Sequence, residues 1–269
     1  MKMKKISIVA LFVISACSSS KQVSQTTSSV PTNITIAGKI FASLYQQKAA
    51  EYRALCLQAF NIARLRVDES LQTAAIKPRA IITDIDETIL DNSAYEVHQT
   101  LQGKDYDAAS WYQWTAMSKA DTVPGAPSFL KYASSKGITI FYITNREEKE
   151  RAGTLLNLQK FNLPNADNTH LMLRQGVSSK EARRLQVATA NDVILLLGDN
   201  LADFTSAFDK KTLDEREKNT NTLVDAFGKK FIVIPNPVYG DWEAANNKYN
   251  YSLSPAQKDS VIKNLLKGY

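Results

Sequence analysis

Four aspartates in two clusters carry the strongest chemical signal in this sequence. Asp84 and Asp86 follow one short apolar run, and Asp199 and Asp203 follow another. Runs of this length and composition are typical of buried strands. If the two strands are neighbours in a parallel sheet, their carboxyl ends bring all four carboxylates into one crevice. Because like charges at such spacing repel one another, the pattern indicates a hard, oxygen-binding cation such as Mg²⁺.

Each acidic cluster, taken alone, has a second interpretation. Asp favours the first turn of a helix, where its side chain accepts hydrogen bonds from free backbone N–H groups. Either cluster could therefore be a helix cap. Two such clusters, together with the residues described next, favour a catalytic site.

The first cluster has the residue types that phosphoryl transfer needs. Asp84, the first acid after its strand, can act as the nucleophile, and Asp86 points the same way in an extended backbone and can serve as general acid and base. Thr88 can orient one of the two. Thr144, after the next strand, can bind phosphoryl oxygens through its hydroxyl and backbone amide. Lys180, at a helix start, is the candidate cation that stabilises the transition state.

Other candidates contact the substrate. Asn145 and Arg146 follow Thr144 directly and are expected near the phosphoryl group. Trp111, Trp114 and Tyr239 can stack on a nucleobase or an aryl leaving group if they face the crevice. Core packing is the alternative for the two tryptophans, which are three residues apart on a predicted helix, whereas Tyr239 lies in a Pro/Gly turn and is expected to be exposed.

Apolar spacing predicts the elements that position these residues. One long amphipathic helix or a pair is expected between residues 38 and 72, with Phe41, Leu44 and Tyr45 among its apolar positions. Beyond Pro78, strands alternate with helices, which predicts a parallel sheet with right-handed crossovers. The expected strands are 80–85, 138–143, 171–173, 193–197 and 231–234, and the expected helices are 146–161, 179–190, one from Phe204, and one that Ser254, Pro255 and Gln257 start.

The N-terminus predicts export and a lipid anchor. A basic start and an apolar run, too short to span a membrane, precede Cys17 in a stretch similar to the bacterial lipobox. An ordinary signal that happens to contain Cys is the alternative. The expected organisation is a lipoprotein signal peptide at 1–16, a flexible Ser/Thr-rich tether at 17–36, and one domain at 37–269 with a helical N-terminal segment at about 37–76 and a helical insertion at about 91–123.

Net charge excludes one class of partner. The formal charge is +6, but residues 1–16 contain three lysines and no acid, so removing them leaves +3. No block of like charge then remains to bind a nucleic acid polymer. With Cys17 assigned to lipid, Cys56 has no intramolecular partner and is expected to be a small buried side chain on a helix.

The order of the motifs resembles that of the haloacid dehalogenase (HAD) phosphohydrolases: Asp-x-Asp-x-Thr after a strand, Thr after the next strand, Lys at a helix start and Gly-Asp-x-x-x-Asp after a later strand. With the lipobox-like start and "NPVYGDWE" near the end, the chain is similar to the class C non-specific acid phosphatases. The resemblance implies a HAD-type Rossmann-like α/β fold, a parallel sheet flanked by helices with a smaller helical cap and N-terminal portion.

The resemblance also implies roles for individual residues. Asp84 would be the nucleophile and Asp86 the general acid and base, with Thr144 and Lys180 holding the phosphoryl group. Mg²⁺ would be bound by the carboxylates of Asp84 and Asp199 and the backbone carbonyl of Asp86, with Asp203 acting on the metal directly or through water.

The sequence therefore predicts a Mg²⁺-dependent phosphomonoesterase of the cell envelope. It would be lipid-anchored at Cys17, in the outer membrane if the cell is Gram-negative, and would act on nucleoside monophosphates or aryl phosphates. A non-catalytic lipoprotein that binds nucleotides is the alternative, against which the intact Asp84 argues. The oligomeric state is left open.

Overall fold

The computed structural model describes residues 33–269. The predicted signal peptide at 1–16, Cys17 and most of the predicted tether lie outside these residues. Within 33–269, no helix is long and apolar enough to cross a membrane. The α-helices are α1 (Ile34–Lys48), α2 (Ala50–Ser70), α3 (Ser93–Leu101), α4 (Ala108–Met117), α5 (Ala126–Ser135), α6 (Arg151–Lys160), α7 (Glu181–Ala190), α8 (Leu213–Thr222), α9 (Asp241–Asn246) and α10 (Pro255–Leu265). The strands are β1 (Arg79–Thr83), β2 (Leu90–Asp91), β3 (Asp121–Thr122), β4 (Thr139–Ile143), β5 (Leu171–Met172), β6 (Asp192–Gly198) and β7 (Phe231–Val233).

Five strands form a parallel sheet in the order β5-β4-β1-β6-β7. The chain passes from β1 to β4 and β5 on one side and then returns to β6 and β7 on the other. The strand order therefore reverses beside β1, and α/β sheets form their ligand crevice at such a point. β2 and β3 form a separate antiparallel pair, and the insertion helices α3 and α4 lie between these two strands in the chain. The predicted α/β sheet flanked by helices is confirmed.

Helices cover both faces of the sheet because its central strands are apolar on both sides. Side chains alternate along β1, so that Ile81 joins a core cluster with α2 and α5, whereas Ala80 and Ile82 join a second cluster with Val187 of α7. Strands that are buried on both faces read as continuous apolar runs, which is the pattern that made β1 and β6 recognisable in the sequence.

The N-terminal helical segment is a pair, but α1 does not bury the face that the sequence predicts. Phe41 and Leu44 are 73% and 53% exposed, while Lys39 and Gln46 are buried. The buried donors have partners: Lys39 pairs with Asp105, and Gln46 donates to the Asp91 carboxylate at 2.8 Å, whereas the Gln46 Oε1 has no partner among the described residues. Hydrogen bonding to the insertion thus decides the orientation of α1, against its apolar spacing.

Several predicted boundaries are wrong in informative places. α1 begins at Ile34, capped by the Asn33 side chain, so the last residues of the predicted tether are helical. The helix expected from Phe204 is replaced by two 3-10 turns, at 201–203 and 206–208, and α8 begins only after a capping box at Thr212. A 3-10 turn likewise precedes α6, which starts at Arg151 and not at Arg146. The capping box at Ser254 is confirmed.

Cys56 lies on the buried face of α2. Burial raises the pKa of its thiol to about 11, so the thiolate is disfavoured at neutral pH. The prediction that Cys56 is a small core side chain is confirmed.

Candidate active site

The carboxyl ends of β1, β4 and β6 meet at one edge of the sheet. Thr83, the last residue of β1, is in register with residues near the ends of both neighbouring strands. Asp84 follows, and its amide donates to the Leu197 carbonyl at 2.9 Å. Asp84 after β1, Thr144 after β4 and Asp199 after β6 therefore emerge side by side, as the spacing of the sequence motifs predicts.

Three acids and one lysine form what we call the strand-end cluster: Asp84, Asp199, Asp203 and Lys180. One carboxylate oxygen from each aspartate lies within 4.8 Å of the others. The Lys180 Nζ contacts Asp84 and lies 2.6 Å from Asp203. Lys180 is buried and sits immediately before α7, so the start of the helix fixes its position. The sequence prediction that Lys180 belongs with these acids agrees with its position.

Burial and mutual repulsion disturb the ionisation of this cluster. Burial raises the pKa of Asp84 against the opposing charge of Lys180, and the nearby carboxylates of Asp203 and Asp86 raise it further. Burial also raises the pKa of Asp199, with Asp203 and Asp84 acting in the same direction. Burial lowers the pKa of Lys180, but the negative charges of Asp203 and Asp84 raise it by more, so the pKa of Lys180 lies above its ordinary value. One lysine does not neutralise three acids, two of which are buried.

The two later acids are held by groups on both sides of the cluster. Asp199 accepts from the Thr88 hydroxyl at 3.1 Å and from the Asn236 amide at 2.8 Å. Thr88 therefore orients Asp199, and not Asp84 or Asp86 as the sequence analysis expected. Asp203 packs so closely on Gly198 that a Cβ there would lie 2.5 Å from the Asp203 Cβ. Glycine at this position is thus required by the approach of the fourth aspartate.

Asp86 lines the same crevice as the other three acids but has its own set of hydrogen-bond donors. Its Oδ1 accepts from the Arg146 guanidinium at 2.7 Å and from the Asn92 side-chain amide at 2.9 Å. Its Oδ2 has longer contacts, at 3.2 Å to the Arg146 Nε and at 3.4 Å to the Thr144 hydroxyl. The Asp86 carboxylate is therefore held mainly through Oδ1, and Oδ2 has the weaker contacts.

Thr144, Asn145 and Arg146 lie where the sequence predicts, but their polar groups are partly committed. The Thr144 amide donates to the Met172 carbonyl at 3.1 Å within the sheet, so only the hydroxyl of Thr144 can serve a phosphoryl group. Arg183 of α7 donates to both the Thr144 carbonyl and the Asn145 Oδ1. Sequence reasoning missed Arg183, which lies in the first turn of α7, three residues after Lys180.

The acids open into a crevice of about 680 Å³. Trp111 and Tyr239 line it, although Trp111 is only 9% exposed and packs edge-on against Tyr95. Tyr239 is half-buried, not exposed, because its hydroxyl donates to the buried Glu87 carboxylate. Trp114 is not among the residues that line the crevice in the described part of the chain. Its ring packs against the core and its indole N–H donates to Asn92, so the structure favours the core-packing alternative for Trp114.

The same crevice contains a second group of charges that sequence reasoning missed. We call it the helical cluster: Lys39 of α1, Glu96 of α3, Asp105 in the loop after α3, Glu243 of α9 and Lys258 of α10. Lys39 lies within 4.0 Å of all three of its acids. Burial raises the pKa of Glu96 to about 7, although Lys39 opposes it. Burial would also raise the pKa of the Asp105 carboxyl, but the positive charge of Lys39 has the larger effect and lowers this pKa to about 2.

Comparison with known proteins agrees with this architecture. The family model "HAD superfamily, subfamily IIIB (Acid phosphatase)" matches residues 3–242. Two solved structures of the class C acid phosphatase from Bacillus anthracis, one of them with tungstate bound, are similar to this chain at 38% identity and a TM-score of 0.85. The match covers 88% of this chain and 99% of each of those chains. Because the family match spans most of the chain, and the aspartates that the motif requires converge in one crevice, the chain belongs to the HAD-superfamily acid phosphatases of subfamily IIIB and is a phosphomonoesterase.

Proposed function

We propose that this acid phosphatase hydrolyses phosphomonoesters with the help of Mg²⁺ and through an aspartyl-phosphate on Asp84. The observation that carries the proposal is the convergence of Asp84, Asp199 and Asp203 around Lys180 at the carboxyl ends of adjacent strands. Such an arrangement supplies a nucleophile, a cation for the phosphoryl group and a metal-binding set in one crevice.

The donor set fits a hard divalent cation. Mg²⁺ prefers carboxylate and carbonyl oxygens, and three carboxylate oxygens lie within 4.8 Å of one another. Among the described residues, the four aspartates form ion pairs with Lys180 and Arg146, which leaves two negative charges for a divalent ion to balance. Asp84, Asp199, Asp203 and the Asp86 backbone carbonyl would hold the ion. When bound, it would lower the repulsion between the acids and the phosphate dianion.

The residues of the chain divide the reaction between them. The Asp84 carboxylate attacks phosphorus while Asp86 gives a proton to the departing oxygen, so that the phosphoryl group moves from the substrate to Asp84. Asp86 then takes a proton from the water that attacks the same phosphorus, which releases phosphate and restores Asp84. Lys180 and the Thr144 hydroxyl would hold the phosphoryl oxygens as charge develops on them. Tungstate, a tetrahedral oxyanion like phosphate, is bound by the similar Bacillus anthracis protein, which supports an oxyanion site here.

Aromatic side chains in the crevice support nucleoside monophosphates or aryl phosphates as substrates. Trp111 and Tyr239 both line the space beyond the acids. Stacking of a base on an aromatic ring contributes about 1–3 kcal/mol. Tyr239→Leu should therefore lower kcat/KM for a nucleotide more than for glycerol phosphate, whereas Tyr239→Phe, which keeps the ring, should not change this ratio. An equal loss with both substrates would contradict the stacking role.

One assay tests the reaction itself. Phosphate release is measured from a panel of nucleotides, aryl phosphates and glycerol phosphate, with Mg²⁺ and with a chelator, for the wild type and for Asp84→Asn. We expect the chelator to abolish turnover, Mg²⁺ to restore it, and Asp84→Asn to be inactive although its melting temperature is retained, because an amide cannot form an acyl-phosphate. Retained activity within tenfold in Asp84→Asn would contradict the covalent mechanism. Nucleotide binding without any turnover in the wild type would favour the non-catalytic alternative.

We further propose that the domain is held in the cell envelope by lipid on Cys17, which lies outside the described residues. The support is the sequence alone: a basic start, an apolar run and a Ser/Thr-rich stretch up to Asn33, the cap of α1. Replacing residues 1–17 with a conventional cleavable signal should release active enzyme from membranes, since acyl chains contribute about 0.8 kcal/mol per buried methylene. An enzyme that still sediments with membranes would contradict the lipid anchor.

A further inference from the structure

We infer that Asn92 is a positioning residue for the proton donor Asp86, and that the indole of Trp114 sets the orientation of Asn92. The inference rests on the proposed phosphatase reaction, in which Asp86 protonates the leaving oxygen. Neither residue touches the strand-end acids, and Trp114 lies behind the crevice wall.

The contacts form a short relay from the insertion helix α4 to the catalytic edge. Asn92 is fully buried. Its side-chain nitrogen donates to the Asp86 Oδ1 at 2.9 Å, and its side-chain oxygen accepts from the Trp114 Nε1 at 2.9 Å. Its backbone amide donates to the buried Glu87 carboxylate at 2.7 Å, which fixes the main chain at the same point. Both ends of the Asn92 side chain are thus occupied.

The chemistry of the two partners permits one orientation of the amide. An indole N–H can only donate, and an ionised carboxylate can only accept. If the amide were rotated by half a turn, its nitrogen would face the Trp114 donor and its oxygen would face the Asp86 carboxylate. Each buried mismatch of this kind costs about 1–3 kcal/mol. The Asn92 nitrogen also donates to Glu87 at 3.3 Å, so the acceptors at one end and the Trp114 donor at the other together make Asn92 present a donor to Asp86.

The local sequence offers Asn92 a different role, which it does not take. Asn92 precedes α3, at the position where an asparagine side chain usually caps the helix by accepting from its first amides. Here it makes no such bond, and the Asp91 carboxylate accepts from the Ser93 amide instead. The side chain of Asn92 has been redirected to Asp86, and the neighbouring acid has taken over part of the capping.

The relay determines which oxygen of Asp86 exchanges the proton. Oδ1 accepts from Asn92 and from the nearest Arg146 nitrogen, whereas Oδ2 has only contacts of 3.2 Å and 3.4 Å. Oδ2 is therefore the less committed of the two oxygens, and we assign to it the proton transfer of the proposed reaction. As an oxygen of Asp84 bonds to phosphorus and the bond to the leaving oxygen breaks, this proton passes to the leaving oxygen. In the second step, Oδ2 takes a proton from water as the Asp84–phosphorus bond breaks.

Leaving groups of different basicity test this positioning role. An alkoxide must be protonated as it departs, whereas p-nitrophenolate leaves without help, so loss of the proton donor's alignment should affect only the first. We compare kcat/KM for glycerol phosphate and p-nitrophenyl phosphate, because this ratio reports the steps up to departure of the leaving group. Trp114→Phe keeps an aromatic side chain against the core and removes the indole donor together with one of the two fused rings. Tyr112→Phe on the same helix removes a hydroxyl that donates to Glu147, outside the crevice, and is the matched control.

We expect Trp114→Phe to lower kcat/KM by about tenfold for glycerol phosphate and by about twofold or less for p-nitrophenyl phosphate. Asn92→Ala should widen the difference in loss between the two substrates to about a hundredfold, which is within the range of general acid catalysis. Tyr112→Phe should change neither. Melting temperatures show whether each variant is folded, and Trp114→Phe decides the matter if Asn92→Ala does not fold. Equal losses for the two substrates, or no loss in Trp114→Phe, would overturn the relay while the proposed function stands. Absence of turnover in the wild type would overturn both.

Discussion

The crevice contains two groups of acids, and they are neutralised in different ways. In the strand-end cluster, Asp84, Asp199 and Asp203 share Lys180 and remain short of positive charge. In the helical cluster, Glu96, Asp105 and Glu243 surround Lys39, and Lys258 pairs with Asp105 on the outer side. The first group leaves two charges for a metal ion once Asp86 and Arg146 are included, and the second leaves one.

The two clusters therefore have different expected roles, the strand-end cluster in turnover and the helical cluster in stability. The strand-end acids project from loops that follow adjacent strands, so the sheet holds them together whether or not a cation is present. The helical acids come from separate elements, α3, the loop after it and α9, and they meet around a lysine of α1. We therefore expect changes in the first cluster to alter turnover and changes in the second to alter stability.

The largest effects should come from replacing the lysine at the centre of each cluster with methionine. Lys180→Met removes the cation that we propose holds the phosphoryl group and should lower kcat by about 10³-fold, the upper range for loss of one preorganised donor. Lys39→Met should leave kcat nearly unchanged and lower the free energy of unfolding by about 3 kcal/mol, because it strands buried acids without a partner. Activity assays and denaturant unfolding of both variants measure this. A large loss of kcat in Lys39→Met would mean that the helical cluster contributes to turnover, contrary to this expectation.

The next effect concerns the pH dependence of stability. The folded-state pKa of Glu96 is raised from its ordinary 4.5 to about 7, mainly by burial, so folding is favoured while Glu96 is protonated and this contribution is lost as pH rises from 4.5 to 7. The pKa difference corresponds to about 3 kcal/mol at most. Glu96→Gln should thus match the wild type near pH 4 and be more stable at pH 8. A stability difference that is constant across this range would mean that Glu96 ionises normally.

Mg²⁺ should stabilise the folded protein by about 2.7 kcal/mol if the strand-end cluster binds it, and variants of the two clusters should differ in this response. A ligand that binds only the folded state at 100 times its Kd stabilises by that amount. Added Mg²⁺ should raise the melting temperature of the wild type and of Glu243→Gln, but not that of Asp199→Asn. If Glu243→Gln loses the response to Mg²⁺ and Asp199→Asn keeps it, the metal lies at the helical cluster.

The smallest effect should come from Lys258, whose pair with Asp105 is partly exposed to solvent. Lys258→Ala should lower the free energy of unfolding by about 0.5 kcal/mol, and the loss should shrink further at high salt. Unfolding curves at low and high ionic strength measure it. A loss as large as that of Lys39→Met would show that the outer pair, and not the buried lysine, holds the helical cluster together.

Much of the fold and of the strand-end cluster could be predicted because local patterns encode them. The apolar runs at β1 and β6 identify strands, and residues directly after parallel strands must emerge at one edge of the sheet. Asp84, Asp86, Asp199 and Asp203 could therefore be placed together from their positions in the chain. Lys180 needed the resemblance to the HAD phosphohydrolases as well, since a lysine at a helix start is usually solvated.

Tertiary structure alone decided which polar side chains turn inward. Nothing in the sequence around Lys39 distinguishes it from a surface lysine, and the apolar spacing of α1 predicts that Phe41 faces the core, yet Lys39 is buried and Phe41 is exposed. The reason is that burial of a polar group depends on partners from distant segments, here Asp105 for Lys39 and Trp114 for Asn92. Periodicity reports the apolar content of a helix face, whereas hydrogen-bond partners exist only once the chain has folded, and leaving such groups unpaired costs more than exposing a few apolar side chains.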